Sequence, residues 1–297
     1  MKIFITGASG FVGGAATREL VARGHSVRAM SRSAKSDRLI SELGAEPVRC
    51  DLESVNAGHL AGAELVLHCA AYVETWGPAD AWYRGNVIGT RAMLAAARSA
   101  GVARFIHIGT EAALVSGQHL FDADESYPLA PNSPFPYCAT KAQAEQLVLA
   151  ANTPELTTLV LRPRFIWGPG DTTLLPAIER MNEHGGWLWI DHGRALTSST
   201  HIDNLVQAIV LALTRGEPGN AYFVLDDGAH TLRYMVAGMA AAKGIKLSDR
   251  SMPAWLADRA GALLEGIWRK FKVAGAPPLT RHAAMVMSRN CVLDDHK

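Results

Sequence analysis

The stretch Lys2-Ile3-Phe4-Ile5-Thr6-Gly7-Ala8-Ser9-Gly10-Phe11-Val12-Gly13 decides how the rest of the chain is read. Ile3 to Thr6 is an apolar, mostly β-branched run and predicts a buried strand. Phe11 to Arg23 continues with helical spacing. Between them stand Gly7, Gly10 and Gly13, each three positions from the next. An ordinary β–α turn needs one glycine. Three at this spacing let the backbone turn tightly and approach a pyrophosphate, which the free N–H groups of the following helix receive. The stretch therefore predicts a dinucleotide held by Gly7, Ser9, Gly10, Phe11, Val12 and Gly13.

Outward from this loop, strand-like runs recur at Ser26 to Met30, Val48 to Cys50, Glu64 to Ala70, Arg104 to Ile108 and Thr157 to Leu161. Glu64 to Ala70 is nearly continuous in apolar residues, as a strand covered on both faces must be. Helices are expected at Ala79 to Ala100 and Tyr137 to Ala151. This alternation predicts an α/β, Rossmann-type, doubly wound parallel sheet. After Pro163 the rhythm loosens. Helices are expected at Asp203 to Thr214, Thr231 to Lys243 and Pro253 to Lys272, with a strand at Ala221 to Leu225. The expected organisation is a dinucleotide-binding domain over 1–165, to which 198–226 returns. A smaller, interleaved C-terminal substrate lobe is expected from 166–197 and 227–297.

Composition narrows the function classes. Of 297 residues, 48% are hydrophobic and 19% charged, which is ample for a core and excludes intrinsic disorder. A net charge of +1 argues against a nucleic-acid or acidic-membrane binder. Cys50, Cys69, Cys138 and Cys291 lie far apart without a CxxC pair, so free thiols in a reducing compartment are expected, and no metal site. The chain enters a strand at once and holds no apolar run of about 18 residues. A cytoplasmic location without an integral membrane segment is expected.

Cofactor choice is read at the end of the second strand. An acidic residue there would bind an adenosine ribose and repel a 2′-phosphate. Here Ser31 holds that place and Arg32 follows it. A guanidinium beside small hydroxyls suits a 2′-phosphate, so NADP(H) is favoured over NAD(H). Asp51, after the third strand, is either an acceptor for the adenine amino group or a turn aspartate.

Tyr137 and Lys141 are spaced i, i+4 and share one face of a helix. A phenol of pKa about 10 is a poor acid–base group at neutral pH, and a neighbouring ammonium is expected to lower it. Thr110 ends the fifth strand, where parallel sheets place ligands, and can orient a substrate oxygen.

Together with Asp51-Leu52, His68-Cys69-Ala70-Ala71, Asn86-Val87-Ile88-Gly89-Thr90, Leu161-Arg162-Pro163 and His201-Ile202-Asp203, these elements resemble the extended short-chain dehydrogenase/reductase superfamily. The resemblance covers most of the chain. It implies a Thr110–Tyr137–Lys141 catalytic trio, Lys141 on the nicotinamide ribose, and Asn86 positioning the active-site backbone. It also implies cofactor contacts from Leu52, Ala70, Ala71 and Pro163. His68 by itself reads as a buried strand histidine and is given no role. Phe165 stands where nucleotide-sugar enzymes usually carry Asn, and Glu111-Ala112 where dehydratases usually carry Asp-Glu. Both point to the 3β-hydroxysteroid dehydrogenase-like and dihydroflavonol reductase-like branch. Gly109 stands where Ser is common. Similar proteins usually continue beyond Leu293-Asp294-Asp295-His296-Lys297, so a further C-terminal tail is expected.

The expected activity is NAD(P)-dependent interconversion of a secondary alcohol and a ketone on a hydrophobic, steroid-like, flavonoid-like or long-chain substrate. Glu111, Trp167 and Trp76 are the expected substrate contacts, Trp167 because it follows the sixth strand. The rivals are a nucleotide-sugar epimerase or dehydratase with tightly bound NAD, and a non-catalytic NADP-binding regulatory protein. Gly266 to Lys272 mixes aromatic and basic residues and reads as a membrane contact, a pocket cover or a solvated helix end. A helix-paired homodimer is common among similar proteins.

Overall fold

The computed structural model describes residues 1–78, 80–183 and 187–296. Its first half runs β1 (Lys2–Thr6), α1 (Phe11–Ala22), β2 (Ser26–Ser31), α2 (Ala34–Glu42), β3 (Glu46–Arg49), β4 (Leu65–His68), α3 (Gly89–Ser99), β5 (Arg104–Ile108), β6 (Leu120–Ala123), α4 (Pro136–Ala150) and β7 (Thr157–Pro163). The second half adds β8 (Ile166–Trp167), α5 (Leu174–Glu183), β9 (Trp189–Ile190), β10 (Leu196–Thr197), β11 (Thr200–His201), α6 (Ile202–Ala212), β12 (Asn220–Val224), β13 (His230–Thr231), α7 (Leu232–Ala242), β14 (Ser251–Met252), α8 (Ala254–Phe271), α9 (Arg281–Ser288) and β15 (Cys291–Leu293).

Seven strands form one parallel sheet in the order β12-β7-β5-β4-β1-β2-β3. Side chains along a strand alternate between its faces, and here both faces are covered. Ile3, Ile5, Leu65 and Leu67 face Leu20 of α1 with Leu205 and Ile209 of α6. Phe4, Val66 and Phe105 face Met93 of α3 and Val148 of α4. The strand order reverses at β1, between β2 and β4, so the glycine loop lies at the switch point where such sheets bind ligands.

The remaining short strands build the rest of the molecule. They form a four-stranded sheet, β13-β10-β15-β6, and the pairs β11-β8 and β14-β9. Trp187 and Trp189 pack with Ile178, Leu232 and Val236 in a separate apolar cluster. The Trp189 indole donates to Ser248 O at 2.8 Å, which satisfies its polar atom inside the core. Among the described residues, no helix is long and apolar enough to cross a membrane.

Three sequence expectations change. The run at Ala221 to Leu225 becomes β12, the edge strand paired with β7, so the sheet has seven members rather than six. The helix expected from Ala79 begins on a residue outside those described. Its described part is α-helical at Ala81 and Trp82, π-helical over Tyr83–Ile88 and α-helical again over Gly89–Ser99. Elements α2, β6, α9 and β15 had no counterpart in the sequence reading; apart from α2, they are short pieces held by distant partners, without a period of their own.

Candidate active site

The glycine loop is shaped by close backbone approach. Gly7 adopts φ +75°, and a Cβ there would meet Ala70 N at 3.0 Å. At Gly13 a Cβ would lie 2.3 Å from Gly7 O, so only glycine lets α1 start this near β1. Gly10 caps α1 without any side-chain bond, which leaves first-turn N–H groups for an anion. Phe11 and Val12 form that first turn, half-buried. We expect Gly13→Ala to force the loop apart, at about 1–3 kcal/mol of overpacking. Dinucleotide affinity should fall at least about tenfold in a fluorescence titration, and unchanged affinity would remove the loop from the site.

His68 fastens this loop from behind. It shares hydrogen bonds with Thr6 Oγ1 at 2.8 Å and Thr90 Oγ1 at 3.1 Å. Ala70 N–H donates to Thr6 Oγ1 at 3.0 Å, which ties the Ala70-Ala71 segment to β1. Burial pushes the His68 imidazole down to about 3, so it is a neutral structural bridge.

At the end of β2, Ser31 is buried and its hydroxyl donates to Asp37 Oδ1 at 2.5 Å. Asp37 is also paired with Arg49. Ser31 thus has a protein partner already, whereas Arg32 beside it is exposed and takes part in no ion pair among the described residues. Asp51 Oδ1 accepts from the N–H groups of Glu53 and Ser54 and from the Ser54 hydroxyl. The Ser54 bonds hold its carboxyl below the usual range. Its turn role is therefore real, and Oδ2 makes none of these bonds. Leu52 packs where a Cβ on Gly89 would come within 2.7 Å of its Cδ1. Pro163 closes β7, buried and in register with Val224 of β12.

Thr110, Tyr137 and Lys141 converge at the carboxyl end of β5. Thr110 is buried and donates to Glu111 Oε2 at 2.6 Å, and it acts to lower the Tyr137 phenol. Lys141, one turn along α4, donates through Nζ to Ile108 O at 2.9 Å. Burial lowers its ammonium to about 8, with neutral His68 and His107 nearby. The expectation that Lys141 lowers the Tyr137 phenol is not met in the ligand-free chain. Burial raises that phenol above its ordinary value, the Glu111 carboxylate and Cys138 add to the rise, and the Thr110 bond opposes it. Lys141 is turned to the Ile108 carbonyl instead. Asn86, in the π-helical segment, accepts from Tyr72 N–H at 2.7 Å and donates to Tyr72 O and Thr140 Oγ1, both at 3.1 Å. It thereby pins the chain after β4 to the helix carrying Tyr137 and Lys141. Single π-helical turns recur at functional sites for this kind of local adjustment.

The structure separates the three expected substrate contacts. Glu111 forms a buried ion pair with Arg164, whose Nε also donates to Thr197 Oγ1 at 2.7 Å. The Trp167 indole donates to Asp226 Oδ2 at 2.7 Å, and its ring meets His201 edge-on at 4.6 Å. Neither lines the cavity at Tyr137. That cavity, of about 210 Å³, has walls from Trp76, Trp82, Phe135, Pro136, Glu265 and Arg269. Trp76 stays at the site, with the Arg269 guanidinium 5.3 Å over its ring. Two residues missed in the sequence join it. His282 of α9 faces Tyr137 edge-on at 6.0 Å, and Arg281 precedes it. No local motif marks either, because their place depends on how α9 packs.

A parallel sheet with a glycine cradle at its switch point and a threonine–tyrosine–lysine set beside a cavity defines a nicotinamide-dinucleotide oxidoreductase of the extended short-chain type. A sequence profile of the 3-beta hydroxysteroid dehydrogenase/isomerase family matches residues 4–253, and the chain belongs to that family. It is 40% identical over 301 residues to a 4-hydroxy-2-methyl-3-oxo-4-farnesyl-3,4-dihydroquinoline-1-oxide ketoreductase of Stigmatella aurantiaca, covering 100% of this chain and 90% of that one. A 2-alkyl-3-oxoalkanoate reductase of Stenotrophomonas maltophilia is 37% identical, covering 96% of this chain and 88% of its own. Among solved structures, DesIV, a dTDP-glucose 4,6-dehydratase of Streptomyces venezuelae with NAD bound, is 25% identical with a TM-score of 0.72. That match covers 85% of this chain and 84% of DesIV.

Proposed function

We propose that the chain interconverts a ketone and a secondary alcohol on a hydrophobic small molecule, working best as a ketoreductase with NADPH. The observation that carries this reading is Tyr137 in the wall of an aromatic-lined cavity, on the helix that also carries Lys141. NADP(H), when bound, supplies or accepts hydride at its nicotinamide. The cradle at Gly7, Gly10 and Gly13, which a Cβ would fill, fits its pyrophosphate, and Lys141, now bonded to Ile108 O, would hold its ribose.

Tyr137 holds its proton firmly, because burial and the Glu111 carboxylate disfavour the phenolate. At neutral pH it is in the protonated form that reduction of a carbonyl requires, while the rise itself weakens it as an acid. Thr110 gives its single proton to Glu111 Oε2, so it would orient a substrate oxygen only by turning that hydroxyl away from Glu111. Trp76, Trp82 and Phe135 exclude water and favour an apolar substrate body. The two relatives named as reductases act on ketones by their names, which supports the same reaction here. Mixing the protein with NADPH and 2-alkyl-3-oxo acids or long-chain ketones should bleach the nicotinamide absorbance. Tightly held NAD that co-purifies, with no net redox change on any ketone, would point instead to an epimerase or dehydratase.

The preference for NADPH rests on Arg32, the exposed guanidinium at the end of β2. Charge-assisted bonds to a phosphate are worth about 1.5–3 kcal/mol. Arg32→Ala should raise KM for NADPH by about tenfold or more and leave NADH nearly unchanged. Equal effects on both cofactors would remove Arg32 from this role.

A further inference from the structure

The end of β2 carries a carboxylate that the strand itself lacks. Ser31 stands where an acid would bind the ribose, yet its hydroxyl donates to Asp37 Oδ1 at 2.5 Å. Asp37, in the first turn of α2, thus brings an acid to the same place from further along the chain. The Ser31 proton is spent in that bond, so toward a 2′-phosphate the serine offers only lone pairs. A second acid is close, since the Arg32 charge acts on Asp51. Two carboxylates therefore oppose a phosphate at Arg32. Arg49 offsets one of them. It ends β3, in register with Ser31 of β2, and pairs with the other Asp37 oxygen, Oδ2. β3 is the edge of the sheet, and in-register residues of neighbouring strands leave it on one face, so Ser31, Asp37 and Arg49 form one cluster there. Asp37 is the only ion-pair partner of Arg49 among the described residues. Arg49 is 54% and Asp37 31% exposed, so the pair adds little to stability.

We propose that Arg49 is a positioning residue for cofactor choice that acts through Asp37: it cancels this carboxylate and so leaves Arg32 able to hold the 2′-phosphate of NADP(H). A phosphate monoester carries nearly two negative charges near neutral pH, so an uncancelled carboxylate at the ribose repels it. The same carboxylate, once free, has an oxygen to offer the 2′-hydroxyl of NAD(H). The pair thus decides which way an acid at this position acts. Arg49 turns a group that would select NAD(H) into one that tolerates NADP(H), without touching the cofactor itself. Lys35 and Arg38, exposed on α2, add positive charge nearby. They are common to every variant below and cancel in the comparison.

This inference rests on the proposed NADPH preference, and the experiment keeps the two apart. Affinities of the whole chain for 2′,5′-ADP and 5′-AMP are measured by titration calorimetry. The two nucleotides differ only in the 2′-phosphate. The wild-type chain should prefer 2′,5′-ADP by about tenfold or more. Arg49→Gln should lower that preference by about tenfold, with 5′-AMP bound as well as before or better. Arg49→Lys, which keeps the charge, should hold the preference within about threefold of wild type. The double variant Arg49→Gln/Asp37→Asn should restore it to the same range, because the repelling carboxylate is gone. An unchanged preference in Arg49→Gln would overturn the inference and leave the NADPH reading standing. So would a preference lost in Arg49→Gln and not restored in the double variant, because Arg49 would then hold the phosphate itself. An equal loss of both nucleotides in Arg49→Gln would overturn it as well. Equal wild-type affinities for the two nucleotides would overturn the NADPH preference, and with it this role for Arg49.

Discussion

Tyr137→Phe is expected to lower kcat for ketone reduction by about 10²–10⁴-fold, while dinucleotide affinity stays at the wild-type level. The substitution removes one oxygen, and the ring stays packed against His282 and Phe135. The bond from Thr110 to Glu111 and the glycine cradle are untouched, so the loss is confined to the proton that Tyr137 delivers. The loss should appear in kcat more than in KM, because the missing interaction strengthens as charge develops on the substrate oxygen. Single-turnover measurements with saturating NADPH test this directly. Turnover close to wild type would mean that another group delivers the proton.

Arg162→Met is expected to cost about 3–5 kcal/mol of folding stability. Arg162 of β7 donates from Nε at 2.9 Å and Nη2 at 2.5 Å to Glu145 Oε1 of α4, and both side chains are almost completely buried. Its Nη1 also donates to Glu125 O at 3.1 Å. Removing the guanidinium leaves a carboxylate inside the protein without its counter-charge. Glu145 lies one turn beyond Lys141, so the damage falls on the helix that carries the candidate acid–base pair. The double variant Arg162→Met/Glu145→Leu should recover much of the loss, since an apolar pair of similar volume carries no desolvation penalty. Denaturant unfolding of the two variants decides it. A single variant within about 1 kcal/mol of wild type would show that water or another group screens Glu145.

The parts of the site that were legible in the sequence are those whose chemistry is local. Gly7, Gly10 and Gly13 are demanded by backbone approach within one β–α turn, and their spacing alone announces the geometry. Tyr137 and Lys141 share a helix face, so their neighbourhood follows from helical pitch. The strand runs read correctly because both sheet faces are covered and the residues are apolar throughout.

Long-range packing decided what the sequence reading missed or misjudged. Trp167 follows β7 as expected, yet Asp226, 59 residues away, takes its indole N–H. Glu111 is claimed by Arg164, 53 residues on. In the ligand-free chain burial and the Glu111 carboxylate raise the Tyr137 phenol, while Lys141 bonds a backbone carbonyl. His282 joins Cys138 across 144 residues, which no local pattern can show. The chain's own letters therefore determined that it folds as a parallel sheet with a dinucleotide cradle and a tyrosine–lysine helix. Each of those follows from backbone sterics and period over a few residues. The walls of the cavity at Tyr137, the partners of its charges and the rise of the Tyr137 phenol come only from the tertiary structure. Burial and the meeting of distant side chains are properties of the packed molecule, and no short stretch of sequence contains them.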